Sequence, residues 1–345
     1  MTRPDPGRRQ WLAHSVPLPS VQPSALAMKA VFLDFDTVSN GDVDPASIAA
    51  AGVGLQIHGV TADSEIHERI RSAEIVITNK LRLDATGFDA APGLRLVCVA
   101  ATGVNNVDLD AARERQIGVC NIASYCTQSV VQHVFAVILS LTHHIAEYQQ
   151  ILRSGAWRDS PQFCLLDFPI RELSGLNLGI VGLGELGRAV ARMGEAFGMR
   201  VIAAQRPGYE GPAPDRVPLD RLLRDSDIVS LHCPLTDRTR NLIGQRELSL
   251  MKRDAILINT ARGGLVDSAA LADCLRREAI AGAAVDVLSQ EPPIDGDPLL
   301  ADDLPNLVVT PHIAWAAREA RQRAVDEIAA NIVSFLSGGR RQRVV

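Results

Sequence analysis

The chain has 345 residues, which suggests two domains of ordinary size rather than one. Hydrophobic residues make up 47% and charged residues 22%, an average globular composition with apolar material for two cores. A net charge of −5 offers no basic face to a phosphodiester backbone, and no window reaches the roughly 18 uninterrupted apolar residues of a membrane span, so neither nucleic acid nor a membrane is an expected partner.

The first 27 residues hold Pro4, Pro6, Pro17, Pro19 and Pro23 beside Arg3, Arg8 and Arg9, without periodicity or an apolar signal core, and read as a disordered extension. From Met28, short apolar runs alternate with helical stretches. KAVFLDF reads as a strand, DPASIAAAG as a helix, GLQIHGV as a strand and DSEIHERIRSA as a helix. EIVITNK and LRLVCVAATG read as strands, and VDLDAARERQ as a helix. Alternation with such short crossovers argues for a parallel sheet covered on both faces. A long apolar helix is expected over residues 129–151, with Ser129 and Gln132 as a capping box. Being apolar around much of its circumference, it must be buried between domains or between subunits, which suggests a homodimer. A connector spaced by proline and glycine, 153–175, follows. Six cysteines are scattered without a C-x-x-C pair, so they read as small buried hydrophobes of a reducing cytoplasm, the expected location.

The second half opens with LGIVGLGELG, a buried strand followed by Gly182, Gly184 and Gly187 as G-x-G-x-x-G, then helical spacing through Val190, Met193 and Phe197. Gly182 permits a tight turn, Gly184 lets backbone N–H groups approach a pyrophosphate, and Gly187 lets the helix lie close on its strand. Leu183, Glu185 and Leu186 fill the same turn. A dinucleotide cofactor is therefore expected. About 20 residues further on, an acid would bond the ribose 2′-hydroxyl. Gln205 stands there instead, followed by Arg206. Gln205 would not repel a 2′-phosphate and a guanidinium could bind it, so NADP(H) is favoured over NAD(H). The plainer reading of Arg206 is a solvated surface arginine.

Four further apolar runs, DIVSLHCPLT, AILINTARGGLVD, AGAAVDVLSQEPP and NLVVTPHIAW, each end in a polar or turn element. Ligands of open α/β sheets bind at the carboxyl ends of strands, and Arg262, Asp286, Glu291 and His312 lie at or just beyond such ends. With GLGELG, LHCPLT, INTARGGLVD, DVLSQEPP and PHIAW in this order and spacing, the chain from 28 to 345 resembles the D-isomer-specific 2-hydroxyacid dehydrogenase family. ATGVNNVDL and PHIAWAAREARQR look most like its glycerate dehydrogenase (hydroxypyruvate reductase) branch.

The resemblance implies reduction of a small 2-oxo acid, such as hydroxypyruvate or glyoxylate, to the D-2-hydroxy acid, and the reverse. Arg262 would bind the substrate, His312 would act as general acid and base, and Glu291 would support the histidine. It also assigns carboxylate binding to the turn at Thr102 and Gly103. Asp286 would receive the nicotinamide carboxamide, and His232, Cys233, Pro234, Thr260 and Ala261 would line the cofactor. Asn105 and Asn106 read as ordering the turn. Lys80 either faces the cleft and attracts acids or is merely solvated, and Trp315 either shapes the pocket wall or simply packs. His133, His143 and His144 read as packing or capping residues, and no ligand cluster at metal spacing is present, so no metal is expected. The expected fold is α/β, with two Rossmann-like doubly wound domains around a cleft: 28–125 plus 313–345 for substrate, with the C-terminal helix returning, and 126–312 for the dinucleotide. Two rival readings remain. One is a dinucleotide-sensing corepressor-like binding protein; the other is the same chemistry on another 2-oxo acid, such as pyruvate.

Overall fold

The computed structural model describes residues 27–206, 211 and 215–345. The expected N-terminal extension, apart from its last residue, lies outside the described residues. Two purely parallel sheets organise the chain. The first contains β1 (Lys29–Phe32), β2 (Gly54–Ile57), β3 (Ile75–Thr78), β4 (Leu96–Val99) and β5 (Gly118–Cys120), in the order β2-β1-β3-β4-β5. Its connections carry α1 (Ala46–Ala49), α2 (Ile66–Ile70), α3 (Ala85–Ala90) and α4 (Leu109–Glu114). β3 and β4 are buried throughout, as expected for parallel strands covered on both faces. α3 and α4 start where an aspartate can cap them: Asp84 accepts from the Thr86 and Gly87 N–H groups, and Asp108 from that of Ala111. β5 was not anticipated, because three residues are too few to show a periodicity.

Then come α5 (Thr127–His143) and α6 (Ile145–Ser154). Here the expected single helix over 129–151 is corrected. His144 adopts a left-handed conformation (φ 51°), closes α5 through its N–H on the Ser140 carbonyl, and stacks on Phe168 at 5.4 Å. The expected capping box does not form either. α5 starts three residues earlier than that box requires, and Ser129 Oγ donates to the Ala314 carbonyl at 2.7 Å, a buried acceptor that the sequence could not reveal.

The second sheet contains β6 (Asn177–Val181), β7 (Arg200–Ala203), β8 (Ile228–Leu231), β9 (Ile256–Asn259), β10 (Gly282–Val285) and β11 (Leu307–Val309), in the order β11-β10-β9-β8-β6-β7. α7 (Glu185–Ala196), α8 (Leu219–Asp225), α9 (Gln245–Leu250) and α10 (Ser268–Arg276) connect them, and α11 (Arg318–Leu336) follows. One face of this sheet packs Val181, Leu231 and Leu257 against Leu222, Leu248 and Leu271 of α8, α9 and α10. The other packs Ile180, Ile258 and Ala284 against α7 and the apolar residues of α5, Val130, Val134 and Ile138 among them. The apolar surface of α5 is thus spent inside its own sheet layer. α11 returns to the first sheet: Val325, Ile328 and Ile332 share a core with Phe32, Ile77 and Leu96.

Candidate active site

The carboxyl ends of both sheets meet. β6 runs into Gly182, whose φ of +102° is a left-handed conformation suited to glycine, and a Cβ there would lie 2.5 Å from the Cys233 nitrogen. At Gly187 a Cβ would meet the Gly182 carbonyl oxygen at 2.1 Å, so only glycine lets α7 lie this close. At Gly184, which precedes the first turn of α7, a Cβ would meet nothing within 4 Å. The backbone is therefore open where a pyrophosphate would approach the helix N-terminus. Thr260 Oγ1, after β9, is buried without a protein partner among the described residues, an orphaned polar atom on the same edge. These features fit a dinucleotide. A cavity of about 200 Å³ lies beside the turn, lined by Thr102, Ser124, Cys126, Gly184, Leu186 and His232 among others.

The other expected cofactor residues divide. Burial pushes the His232 imidazole down to about 4, so it is neutral at neutral pH, and its Nε2 lies 2.9 Å from Ser230 Oγ. Pro234 and Ala261 stand at the same strand ends, and Leu183 packs beneath the turn. Gln205 is half-buried after β7, its N–H donating to the Val217 carbonyl at 2.8 Å, and Arg206 is exposed beside it. The Cys233 side chain is buried in the sheet core, and its backbone borders the glycine turn. Glu185 turns across the cleft, where Ser124 and Thr127 hydroxyls donate to it and hold its carboxyl below the usual range.

Asp286 is buried just beyond β10. It is 2% exposed, and its oxygens accept from Thr310 Oγ1 (2.6 Å), Ile313 N (2.8 Å) and Ala314 N (2.9 Å). Its backbone carbonyl accepts from His312 N at 2.8 Å. The residue anchors the turn that carries His312. His133 joins this anchor from α5, its Nε2 3.1 Å from Thr310 Oγ1. No sequence signal marks that contact, because its partner lies 177 residues away.

His312, held at φ 56°, places Nδ1 2.6 Å from Glu291 Oε2. Its Nε2 has no protein partner among the described residues. Glu291 Oε1 accepts from the Leu288 N–H at 2.9 Å. Burial raises the Glu291 carboxyl, but the bond to His312, its charge, the Leu288 N–H and Lys80 outweigh it, leaving the group below the usual glutamate range. Trp315 Nε1 donates to the His312 carbonyl at 2.9 Å, and its ring packs edge-on against Tyr125 at 6.2 Å, so it braces the histidine turn.

Arg262, exposed after β9, reaches across to the first sheet: its Nη2 lies 2.6 Å from where a Gly103 Cβ would be. Its Nη1 donates to the Ala261 carbonyl at 2.6 Å, and among the described residues no carboxylate pairs with it. The Thr102 and Gly103 N–H groups likewise meet no acceptor among the described residues, while Thr102 Oγ1 donates to the Ile122 carbonyl at 2.9 Å. Asn106 orders the turn, its Nδ2 donating to the Leu81 carbonyl at 3.0 Å. Lys80 joins the cluster electrostatically. Partial burial and then the Arg262 guanidinium lower its ammonium, while Glu291 and Asp34 draw it up, and the net is below the usual lysine range. An unpaired guanidinium, free N–H groups and a histidine–carboxylate pair thus converge beside a dinucleotide cradle. That arrangement can hold a small carboxylate and exchange one proton with it.

Residues 135–314 match the family described as D-isomer specific 2-hydroxyacid dehydrogenase, NAD binding domain. Glycerate dehydrogenase of Methylorubrum extorquens is 46% identical over 274 residues, 79% of this chain and 86% of that protein. Hydroxypyruvate reductase of Blautia hydrogenotrophica is 37% identical over 318 residues, 90% of this chain and 98% of that one. The crystal structure of the TT0316 protein from Thermus thermophilus superposes with a TM-score of 0.81 at 36% identity, covering 92% of this chain and all (100%) of that one.

Proposed function

The chain belongs to the D-isomer-specific 2-hydroxyacid dehydrogenase family, and from that premise we propose that it reduces a small 2-oxo acid, hydroxypyruvate or glyoxylate, to the D-2-hydroxy acid and catalyses the reverse. The observation that carries this reading is the unpaired Arg262 against Gly103, beside the His312–Glu291 pair. The nicotinamide, when bound, supplies or accepts the hydride. Arg262 and the Thr102–Gly103 N–H groups hold the carboxylate, and Arg262 polarises the carbonyl oxygen. Glu291 fixes Nδ1 of His312 as a donor, so Nε2 delivers the proton to the new alkoxide and takes it back in oxidation. The cleft between the sheets, hinged near 125 and 312, closes to exclude water. The enzyme favours NADPH, because Gln205 presents no acid to a 2′-phosphate and Arg206 stands exposed beside it. It works as a homodimer. α5 is spent in its own layer, so the support for assembly moves to the apolar side chains exposed on α6 and the chain after it, Trp157, Phe163, Leu166 and Ile170 among them.

The test is turnover of hydroxypyruvate, glyoxylate, pyruvate and phenylpyruvate with each dinucleotide. Hydroxypyruvate or glyoxylate with NADPH should give the highest kcat/KM, and Arg206→Ala should lower it for NADPH alone. Absence of turnover with all four acids sinks the activity. A clear NADH preference sinks the cofactor assignment and leaves the activity standing.

A further inference from the structure

Asp34 is a buried carboxylate, 3% exposed, for which the proposed reaction has no use. It follows β1, beside β3, at the point where the first sheet's connections turn in opposite directions. In an open α/β sheet that crevice is where a ligand binds. Here the chain supplies the anion itself. Asp34 Oδ1 accepts from the Asn79 N–H at 2.9 Å, and Oδ2 from those of Lys80 at 2.7 Å and Leu81 at 3.4 Å. Successive N–H groups converging on one carboxylate form an anion nest. Burial raises the Asp34 carboxyl, and these N–H bonds oppose that rise.

The nested loop is joined to the substrate-facing turn. Asn106 Nδ2 donates to the Leu81 carbonyl at 3.0 Å, Leu83 N to the Asn106 carbonyl at 2.8 Å, and Asp108 N to the Leu83 carbonyl at 2.9 Å. That turn carries Gly103, against which Arg262 rests. Asp34 therefore lies under the first of these loops, to which Asn106 ties the second.

We propose that Asp34 is a positioning residue for the anionic substrate: by filling the nest at residues 79–81 it holds Lys80, and through Asn106 the Thr102–Gly103 turn, in register with Arg262. The inference rests on the reading of this cleft as a 2-oxo-acid site. Lys80 serves as a second cation that draws the acid in, and its direction is set by a charge it never shares with the substrate.

The test compares Asp34→Asn, Lys80→Met and the double variant with the wild type. A neutral amide cannot accept from the whole nest. Asp34→Asn should raise KM for the 2-oxo acid about tenfold, with kcat nearly unchanged, because it removes binding shared by ground and transition states. The dinucleotide KM should not move. Lys80→Met should raise the same KM and flatten its dependence on salt, and the double variant should raise it by less than the product of the two single effects. An Asp34→Asn enzyme that melts earlier but keeps its KM overturns the proposal, as do additive effects in the double variant. Should Asp34→Asn not fold, Asn106→Ala cuts the link between the loops and must raise the same KM; an unchanged KM there, or in Lys80→Met, overturns the proposal. A wild type that turns over no 2-oxo acid fails the reading beneath it, whereas a wild type with turnover and insensitive variants fails this inference alone.

Discussion

A methyl group at position 103 would fall 2.6 Å from Arg262 Nη2, so glycine there makes room for the guanidinium rather than for a backbone turn. The obstructed atom ends a flexible side chain, so Gly103→Ala should leave the melting temperature unchanged. The arginine must move aside, however, and a displacement of about 1 Å can cost on the order of 100-fold in kcat/KM. Steady-state kinetics beside a thermal melt separates the two effects; an unaffected kcat/KM would mean that Arg262 does not act from this position. Glu291 permits a second prediction. Its carboxyl is held below the usual range and stays ionised through neutral pH, with its Oε2 2.6 Å from Nδ1 of His312. Reduction consumes that proton, so its rate falls as pH rises. In Glu291→Gln the charge is gone, and the alkaline limb of the reduction profile should move to lower pH. His312→Ala should cost about 10²–10⁴ in kcat at any pH, and a profile that does not shift in Glu291→Gln would separate the glutamate from the proton transfer. Arg262, Glu291 and His312 were legible in the sequence because strand ends and spacing mark them. The bonds of Asp286 to the turn 24–28 residues further on were not legible, because nothing local marks them. Asp34 gave no sign, because its partners lie 44–47 residues away.

At the scale of elements, β6, the glycine turn and α7 were the most legible unit, because each glycine has its own reason. Those reasons predict different failures. In Gly187→Ala the new Cβ meets the Gly182 carbonyl, a backbone atom that cannot step aside, at 2.1 Å. α7 must lift off β6, and overpacking of this kind costs about 1–3 kcal/mol. The melt should drop and dinucleotide affinity with it. In Gly184→Ala the Cβ points into open space. The melt should hold while dinucleotide affinity falls, since the methyl occupies the approach of the pyrophosphate. Equal melts for both variants would overturn this division of roles. The break between α5 and α6 was illegible for a related reason. The pattern of residues 129–151 is helical on both sides of His144, and the 51° bend comes at this residue, whose ring stacks on Phe168, outside the helix.

For the whole molecule, the alternation of strands and helices foretold parallel sheets, and the family resemblance implied the return of α11, but neither told which apolar surface would remain uncovered. α5 carries the most apolar sequence and is absorbed between its sheet and α7. Among the described residues, a run of exposed apolar side chains lies after His144: Phe163 is 90% exposed and Leu166 80%, with Ile145, Trp157 and Ile170 each about half exposed. These side chains follow α6 along one stretch of chain, whose fold is held locally by Tyr148 Oη donating to the Phe168 carbonyl at 3.1 Å and Trp157 Nε1 donating to that of Phe163 at 3.0 Å. A stretch stitched by its own hydrogen bonds, yet presenting apolar tips to water, is the surface on which the proposed homodimer rests. A second copy would cover it with the same surface, as two-fold interfaces do. Sedimentation velocity should therefore show a dimer whose dissociation depends on concentration. Phe163→Asp combined with Leu166→Asp should shift it to monomer, because the charges would be desolvated against their own counterparts across the two-fold axis. Both side chains are exposed, so the variant chain should melt as a folded protein. A wild type that stays monomeric at every concentration removes the assembly, and a variant that remains a dimer moves it to another face.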